Sequence, residues 1–201
     1  MKWILFIVPF FIFAQTATRE QSCWSFELYG GEVYNVPMPQ TISQDGYPEV
    51  KLTARYNTEP FTLPVYWDMR LGRWQSNKMW EVEIIHHQLY LENTTSEIQK
   101  FNISHGSNLI MLNRDSGKKM FRYRFGTGMV LTHPESNIRG KVFGHSNDDK
   151  DLGNYLSVPA LNLAVGKDFR ISNSFYFDVE SKATCVYTRI KVANGHADVY
   201  H

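Results

Sequence analysis

Apolar and polar side chains alternate along most of the chain, and residues 119–132 show the pattern most clearly. Phe121 and Phe125 fall on one face of an extended chain, and Arg122 and Arg124 fall on the other. A period of two residues predicts a β-strand. An aromatic face backed by paired arginines is typical of a strand with lipid outside and a polar interior.

The same alternation recurs in about nine segments joined by polar turns and loops. The segments cover residues 24–34, 50–57, 65–72, 78–92, 100–112, 119–132, 155–165, 174–180 and 186–192. Turns are predicted at 75–77, 93–96, 115–117 and 194–195, and loops at 36–48 and 133–153. A change of parity near Ile85-His86 predicts a β-bulge. Sustained helical periodicity is missing after residue 24, so the chain is predicted to be all-β.

Charged residues of both signs occupy the polar faces of nearly every segment. They are Glu27, Lys51, Arg55, Asp68, Arg70, Glu81, Glu83, Lys100, Arg122, Arg124, Asp178, Glu180, Arg189 and Lys191. Buried unpaired charge is costly, so these side chains must face water or pair with one another. In a membrane barrel they line the interior, whereas in a soluble lipocalin-like barrel they face water and the aromatics line a ligand cavity. Alternation alone does not separate the two arrangements.

Three features favour the membrane arrangement: charges on nearly every strand, aromatic residues near strand ends, and an N-terminal signal. The aromatic residues concerned are Tyr66, Trp74, Trp80 and Tyr90. We therefore predict an antiparallel up-and-down transmembrane β-barrel of about 8–12 strands. It forms a single domain over residues 15–201, with a long exposed loop at 133–153. A secreted soluble barrel or sandwich, such as a lipocalin-like carrier, is the alternative.

The first fourteen residues have the features of a secretory signal peptide. Lys2 precedes an apolar run from Trp3 to Phe13, and Ala14-Gln15 offers a cleavage point. The run is too short to span a bilayer as a helix, and no later stretch is long and apolar enough to do so. A buried N-terminal strand is the alternative. The Phe-Ala-Gln ending resembles signal peptides of the Bacteroidetes, so we expect the mature protein in a bacterial outer membrane.

Six charged residues on three of the predicted strands are candidates for one interior network. They are Glu81, Glu83, Arg122, Arg124, Asp178 and Glu180. Opposite charges on inward faces are expected to pair as a salt-bridged lumen. The alternative is that Arg122 and Arg124 belong to a selective pore or to a ligand site. A barrel with few strands is nearly filled by its side chains, which argues against a wide pore.

The overall charge argues against one class of partner, nucleic acids. The formal net charge is +1, and aromatic residues make up 14% of the chain. A nucleic-acid-binding protein normally carries a basic footprint, so no nucleic-acid partner is expected. Many aromatic residues at a mean hydropathy of only −0.36 agree with alternating strands.

The segment His105-Gly106-Ser107-Asn108 is the sharpest candidate for catalysis. A His and a Ser two positions apart on a strand share a face, so His105 can act as general base for Ser107. Asn108 or the following amide can donate to an oxyanion. By parity with Phe101, the pair is expected on the lipid side. Ordinary strand residues near a membrane interface are the alternative.

This segment resembles the His-x-Ser-Asn motif of the outer-membrane lipid A 3-O-deacylases. The resemblance implies a membrane-facing hydrolase of lipid A acyl esters, with Ser107 as nucleophile. The family orients its His with a downstream Glu, and Lys119 stands about where that Glu is expected. The likeness is therefore limited to four residues.

The mature chain as a whole resembles small bacterial outer-membrane β-barrel proteins, in segments such as Met120–Leu131 and Ser174–Glu180. The resemblance implies a structural or binding role, with membrane lipid or lipopolysaccharide and the barrel-assembly machinery as partners. Such proteins usually end in a strand with a terminal aromatic, whereas this chain stops at residues 199–201. Either the last strand is missing or the odd strand count is wrong. The oligomeric state stays open.

Cysteine and histidine residues give no firm site. Cys23 and Cys185 either pair as a disulfide or remain separate thiols, and they are too far apart in sequence for a zinc motif. His86 and His87 fall on opposite faces of one strand, so they cannot share a metal. The acidic stretch 147–153 fails the spacing of a calcium loop. We predict neither a metal nor a cofactor.

Overall fold

The computed structural model describes residues 12–13, 22–59, 65–118, 121–144, 155–172 and 174–201. Within these ranges the chain forms fourteen β-strands and no helix, and every paired strand is antiparallel. The prediction of an all-β antiparallel fold is confirmed. No α-helix in this part of the chain is long and apolar enough to cross a bilayer. Of the predicted signal peptide, residues 1–11 and 14 lie outside the described residues.

The strands are numbered in chain order. They are β1 (Ile12–Phe13), β2 (Cys23–Tyr29), β3 (Met38–Gln44), β4 (Val50–Ala54), β5 (Tyr56–Asn57), β6 (Trp67–Gln75), β7 (Lys78–Leu91), β8 (Ile98–Lys118), β9 (Phe121–Thr132), β10 (Glu135–Ile138), β11 (Lys141–Phe143), β12 (Tyr155–Arg170), β13 (Phe175–Val192) and β14 (Gly195–Tyr200).

One hydrogen-bonded path connects most of these strands. Its order is β2-β6-β7-β8-β9-β12-β13-β14-β3-β4. Beside this path, β1 pairs with β13, β5 with β7, and β10 with both β8 and β11. The path is open among the described strands, because β2 and β4 are its two ends and are not paired with each other.

The predicted turn at 115–117 is wrong. Strand β8 continues to Lys118 and stays paired with β9, with Asp115 opposite Arg124. Asp115 is fully buried and accepts hydrogen bonds from Arg122 and Arg124. These charge-assisted contacts outweigh the local turn preference of the Asp-Ser-Gly sequence.

Both predicted loops contain strands. Residues 38–44 form β3, in which Gln40, Ile42 and Gln44 face inward. Pro39 is tolerated because it pairs with β4 alone, since β14 contacts β3 only at residues 41–44. In the second loop, β10 and β11 form a hairpin that packs on β8. The remaining residues, 145–154, lie outside the described part.

The register of β7 against β8 shifts between His87 and Leu89. The irregularity therefore lies two residues beyond the predicted bulge at Ile85-His86. The predicted turn at 194–195 is present, and Asn194 has a positive φ of 56° that Asn tolerates well. It joins β13 to β14, and β14 is paired with β13 along its whole length.

The polarity of the inward face reverses along the long strands, although the parity stays constant. In β13, Asp178 and Glu180 face inward near one end, and Ile190 and Val192 face inward near the other. We call the part with the charged interior the ionic half; it comprises residues 24–29, 67–84, 110–118, 121–129, 161–172 and 174–185. The apolar half comprises β3, β4, β10, β14 and the adjoining ends of β7, β8 and β13.

The apolar half is built around a conventional hydrophobic core. Its fully buried members are Ile42, Leu89, Ile98, Phe101, Ile103, Ile138, Ile190, Ala197 and Val199. A smaller cluster around Ile85, Leu109, Val130 and Val186 separates this core from the charged interior. The inside of the sheet thus changes from apolar to ionic along the strands.

Candidate functional site

The interior of the ionic half holds a network of four cations and eight carboxylates. The cations are Arg70, Arg122, Arg124 and Lys182. The carboxylates are Glu27, Asp68, Glu81, Glu83, Asp115, Asp168, Asp178 and Glu180. They come from seven strands, and each faces inward because it shares the parity of the buried positions of its strand.

Arg124 on β9 makes its shortest ion pairs with carboxylates from three other strands. Its Nε atom lies 2.9 Å from Oδ1 of Asp115 and 2.9 Å from Oε1 of Glu81. Its Nη1 atom also pairs closely with Glu180. The planar guanidinium has several donors in fixed directions, so one arginine can connect β7, β8 and β13.

Arg70 and Lys182 form the neighbouring part of the network. The Nε atom of Arg70 lies 2.8 Å from Glu83, and its Nη2 atom lies 2.8 Å from Glu180. The Nζ atom of Lys182 lies 2.7 Å from Asp68 and also pairs closely with Glu83. Glu83 and Asp68 are therefore each shared between two cations.

Arg122 on β9 links β2, at one end of the strand path, with the adjacent strand β8. Its Nη1 atom lies 2.8 Å from Glu27 on β2, and its Nη2 atom lies 3.0 Å from Asp115 on β8. Tyr29 on β2 also donates to Asp178 on β13 over 2.7 Å. Because β2 and β13 are six strands apart in the path, these contacts require a strongly curled sheet.

The network has eight carboxylates and only four cations. Neutral side chains therefore donate further hydrogen bonds to the carboxylates. Asn113 donates to Glu81 over 2.9 Å and to Glu83 over 2.8 Å. Asn162 donates to Glu83 over 2.9 Å, and the Tyr176 hydroxyl donates to Glu27. A buried carboxylate is tolerated only when its oxygens are paired in this way.

All six charged residues predicted for one interior network lie in this network. Five other residues from the predicted polar faces do not: Lys51, Arg55, Lys100, Arg189 and Lys191. They belong to the apolar half, where the inward positions are apolar and the charges point outward. Parity predicts the face of a strand, but not how far along the strand the interior stays charged.

Sequence reasoning missed several members of the network. Lys182 has the correct parity, and extending the segment 174–180 by two residues would have found it. Asp115 was assigned to a turn, and the amides of Asn113 and Asn162 carry no charge signal. Trp74, one of the aromatic residues near strand ends that favoured the membrane arrangement, is buried inside, with its ring centroid 5.6 Å from Cζ of Arg122.

The outer surface of the same strands is apolar. Twelve of its large side chains are at least 40% exposed: Trp24, Phe26, Leu71, Trp80, Val82, Leu112, Phe121, Tyr123, Phe125, Leu161, Leu163 and Val165. They occupy the positions between the buried charges along β2, β6, β7, β8, β9 and β12. The ionic half is therefore charged inside and apolar outside.

Ser107 faces inward, so the expectation that it lies on the lipid side is wrong. It is fully buried, and its Oγ atom lies 3.2 Å from Nε2 of His201. The His201 ring lies 5.9 Å from that of His87, whose Nε2 atom is 2.8 Å from Oγ1 of Thr58. These four residues form a polar layer between the two hydrophobic clusters. The sequence offered no signal that His87 and His201 meet.

The predicted catalytic residues are not assembled into one site. The side chain of His105 lies outside the described part of the structure. Asn108 follows Ser107 on the strand, so its side chain points to the opposite face, where Oδ1 lies 2.8 Å from Nδ1 of His86. It cannot donate to an oxyanion formed at Ser107. The buried Oγ is also out of reach of a lipid acyl chain.

Cysteines and metal ligands add no further site to the described residues. Cys23 and Cys185 are free thiols, the first on the inward parity of β2 and the second exposed on β13. The described residues contain no group of three or more His, Cys, Asp or Glu side chains arranged to hold a metal ion.

Comparison with protein-family models, curated proteins and solved structures gives no match.

Replacing Arg124 by Gln is expected to destabilise the fold by about 3 kcal/mol or more, because it leaves Glu81 buried without its cation and removes one of the two arginines that pair with Asp115. The measurement is urea unfolding, followed by tryptophan fluorescence. Arg189→Gln is the matched control: this arginine is 60% exposed and pairs with Asp198 at the surface, so its loss should cost less than about 1 kcal/mol. Equal effects of the two variants would contradict the importance of the network.

The His87 layer predicts a loss of stability in acid. Burial, and then the neighbouring rings of His201 and His86, lower the pKa of His87 to about 3; burial lowers the pKa of His201 to about 4. Unfolded histidine titrates near 6.5, so below about pH 6.5 the unfolded chain binds more protons. Between about pH 6.5 and pH 4, each fall of one pH unit should lower the free energy of unfolding by up to about 1.4 kcal/mol for each histidine.

His87→Gln should therefore reduce the loss of stability between neutral pH and about pH 5, measured as the shift of the urea midpoint. His196, which is partly exposed, gives the matched control His196→Gln, and this variant should keep the wild-type pH profile. An unchanged profile in His87→Gln would rule out the buried neutral histidine as the cause.

Proposed function

We propose that the protein is a bacterial outer-membrane β-barrel protein with a structural or binding role, and that its ionic half lies in the bilayer. One observation carries the proposal: the same strands have paired charges inside and exposed aromatic and aliphatic side chains outside. In water this arrangement is unfavourable, because the apolar side chains remain solvated. In a lipid bilayer the outer apolar side chains contact acyl chains, and the inner charges remain paired with one another.

The height of the apolar surface supports the proposal. On β9, the outward positions from Phe121 to Met129 are Phe, Tyr, Phe, Thr and Met. Eight steps of about 3.3 Å give about 26 Å along the strand, or about 20 Å along the membrane normal at a tilt of ~40°. Outer-membrane barrels have an apolar band of about 25 Å. The apolar half, with its polar outer face, would then project from the bilayer into water.

Closure of the barrel is part of the proposal, because an open sheet edge is not tolerated in lipid. The side chains of β2 and β13 already meet through Tyr29 and Asp178. In the structure β1 pairs with β13 at Phe175 and Tyr176. Cleavage of the predicted signal peptide after Ala14 would remove β1, and β2 would then be the strand available to pair with β13.

The alternatives gain less support. A lipocalin-like carrier needs its aromatics around an inner cavity, whereas Trp80, Tyr123 and Phe125 are exposed on the outer face. The lipid A hydrolase needs Ser107 at the lipid surface. A structural or binding role requires neither, and it agrees with an interior occupied by ion pairs.

Cell fractionation tests the proposal directly. The full chain, expressed with its N-terminal segment in a Gram-negative host, should sediment with the outer membrane and need detergent for extraction. A folded barrel should also migrate differently on a gel before and after boiling. Recovery as a soluble periplasmic monomer without detergent would refute the proposal.

A charge on the outer face provides an independent prediction. Leu112 is 51% exposed in the middle of the ionic half, so Leu112→Arg should lower stability in lipid vesicles by about 2–4 kcal/mol. On a water-exposed surface the same change stays within about 0.5 kcal/mol. Val142, 57% exposed on β11 of the hairpin that packs on the apolar half, supplies the control Val142→Arg, which should be neutral. Urea unfolding in vesicles gives both values, and a neutral Leu112→Arg would argue for water around β8.

A further inference from the structure

We propose that the gap between β2 and β13 is a binding site for one further β-strand, which inserts antiparallel to both strands and completes the barrel of the ionic half. The inserted strand carries apolar side chains outward and cationic or neutral polar side chains inward. The inference rests on the proposed function, because the ionic half needs closure only in lipid. It adds a peptide partner and the register in which that partner pairs.

The directions of the strands require one more strand at this place. Six antiparallel steps separate β2 from β13 in the path, so these two strands run in the same direction. If they paired directly, the seven strands of the ionic half would close through a parallel pair. One intervening strand makes every neighbouring pair antiparallel and raises the number to eight, and bacterial barrels have even numbers of strands.

The edge of β13 that faces β2 is open over nine positions, 177–185. In the apolar half β14 pairs with this edge, as far as the hydrogen-bonded backbones of Val186 and His201. At the other end of β13, β1 pairs with Phe175 and Tyr176. Between these two neighbours, residues 177–185 pair with β12 alone among the described strands.

The gap has the width of one strand. β1 lies in it, because β1 is hydrogen-bonded to β13 in the antiparallel sense and has Cα atoms within 8 Å of Cα atoms of β2. The strands β2 and β13 themselves meet through long side chains: Tyr29 donates to Asp178, and Tyr176 donates to Glu27. Strands that are two positions apart in a sheet are separated by about 9–10 Å, which leaves room for one strand between them.

The open edge leaves inward-facing residues accessible. Glu180, Lys182 and Thr184 are each partly exposed, whereas Asp178 and Val186, at the two ends of the open edge, are buried. Asp178 also has one carboxylate oxygen, Oδ1, without a hydrogen-bond donor among the described atoms. An inserted strand would cover the exposed residues and can supply a donor to this oxygen.

The surroundings of the gap define the chemistry of the inserted strand. Its outward side chains would lie between Trp24, Phe26 and Leu28 of β2 and apolar residues of β13 such as Val179. Its inward side chains would enter a network of eight carboxylates and four cations, where further cations or neutral donors are favoured. The N-terminal run Trp3–Phe13 supplies neither, because all its side chains are apolar.

The antiparallel register assigns each position of a nine-residue strand. Its first residue lies opposite Cys185 and its ninth opposite Phe177, so odd positions face outward and even positions face inward. The sixth and eighth positions lie opposite Glu180 and Asp178, and a lysine at each would face a carboxylate. The fourth lies opposite Lys182, where asparagine avoids a like charge.

Cys185 is placed to report the insertion. Its thiol is free and exposed on the outward face of β13. Because the neighbouring Val186 and His201 form a hydrogen-bonded pair, Cys185 occupies a non-hydrogen-bonded position. Residues opposite each other at such positions have Cα atoms about 4.5 Å apart, which lies within the range that a disulfide spans.

Disulfide trapping tests the inference on the full chain, extracted from host membranes in a zwitterionic detergent. The probe is a nine-residue peptide with the assigned lysines and asparagine, phenylalanine or valine at odd positions, and an N-terminal cysteine activated as a thiopyridyl disulfide. The thiol of Cys185 should displace the thiopyridyl group and bond to the peptide. We expect a rate at least about tenfold higher than for a C-terminal cysteine, since only antiparallel insertion brings the N-terminal one opposite Cys185.

The controls change the peptide rather than the buried network. A peptide with glutamate in place of both lysines should react at least about tenfold more slowly, because Glu180 and Asp178 repel it. A peptide of the same composition with the lysines moved to odd positions should also react slowly. Cys185→Ser should abolish the adduct, which excludes the other free thiol, Cys23. Equal rates for the two cysteine positions, or for the lysine and glutamate peptides, would overturn the inference.

Fractionation of the same cells separates the two proposals. If the chain is recovered as a soluble monomer without detergent, both the proposed function and the inference fail. If the chain is extracted from the outer membrane and the N-terminal cysteine gives no preferential adduct, β2 and β13 close in another way, and only the strand-binding site is rejected.

Discussion

The fold of the ionic half depends on keeping every buried charge paired. Arg70, Arg122 and Arg124 come from only two strands, yet their carboxylate partners come from six. Such contacts form only when the sheet is curled enough to bring β2 opposite β13. The interaction energy of ion pairs is large in a medium of low dielectric constant, but so is the cost of desolvating each charge. The network therefore stabilises the curled sheet only when it is complete.

The reversal of polarity along single strands explains why the molecule has two kinds of interior. A strand keeps its parity along its whole length, so the inward face of β13 passes from Asp178 through Val186 to Ile190 without interruption. The outward face reverses at the same level, from Phe177 to Arg189. In each half one face is polar and the other is apolar, but the order is reversed. The ionic half therefore has an apolar outer surface, and the apolar half has a polar one. Ser107 and its polar neighbours lie near the boundary between them.

The sequence was sufficient to predict most of the long strands and the inward face of the ionic half. The grouping of Glu81, Glu83, Arg122, Arg124, Asp178 and Glu180 followed from parity, because side chains two residues apart share a face. The sequence did not show how far along each strand the interior stays charged. It also did not show which residues that are distant in sequence meet. Segments 174–180 and 186–192 were predicted as separate strands, and only the structure joins them into β13, where Arg189 has the parity of the outward face. Asp115 stands in a typical turn sequence, and the arginines opposite it decide otherwise. His201 meets Ser107 across 94 positions, a distance that no local pattern encodes.

The constant parity of the long strands also limits how the length of this chain can vary. Inserting or deleting one residue within β8 or β13 would exchange the two faces of everything beyond that point. Because the halves have opposite polarity, no register shift by one residue could be favourable in both. Related sequences are therefore expected to differ in length at the turns and at the β10–β11 hairpin, and to conserve strand lengths even where individual side chains change.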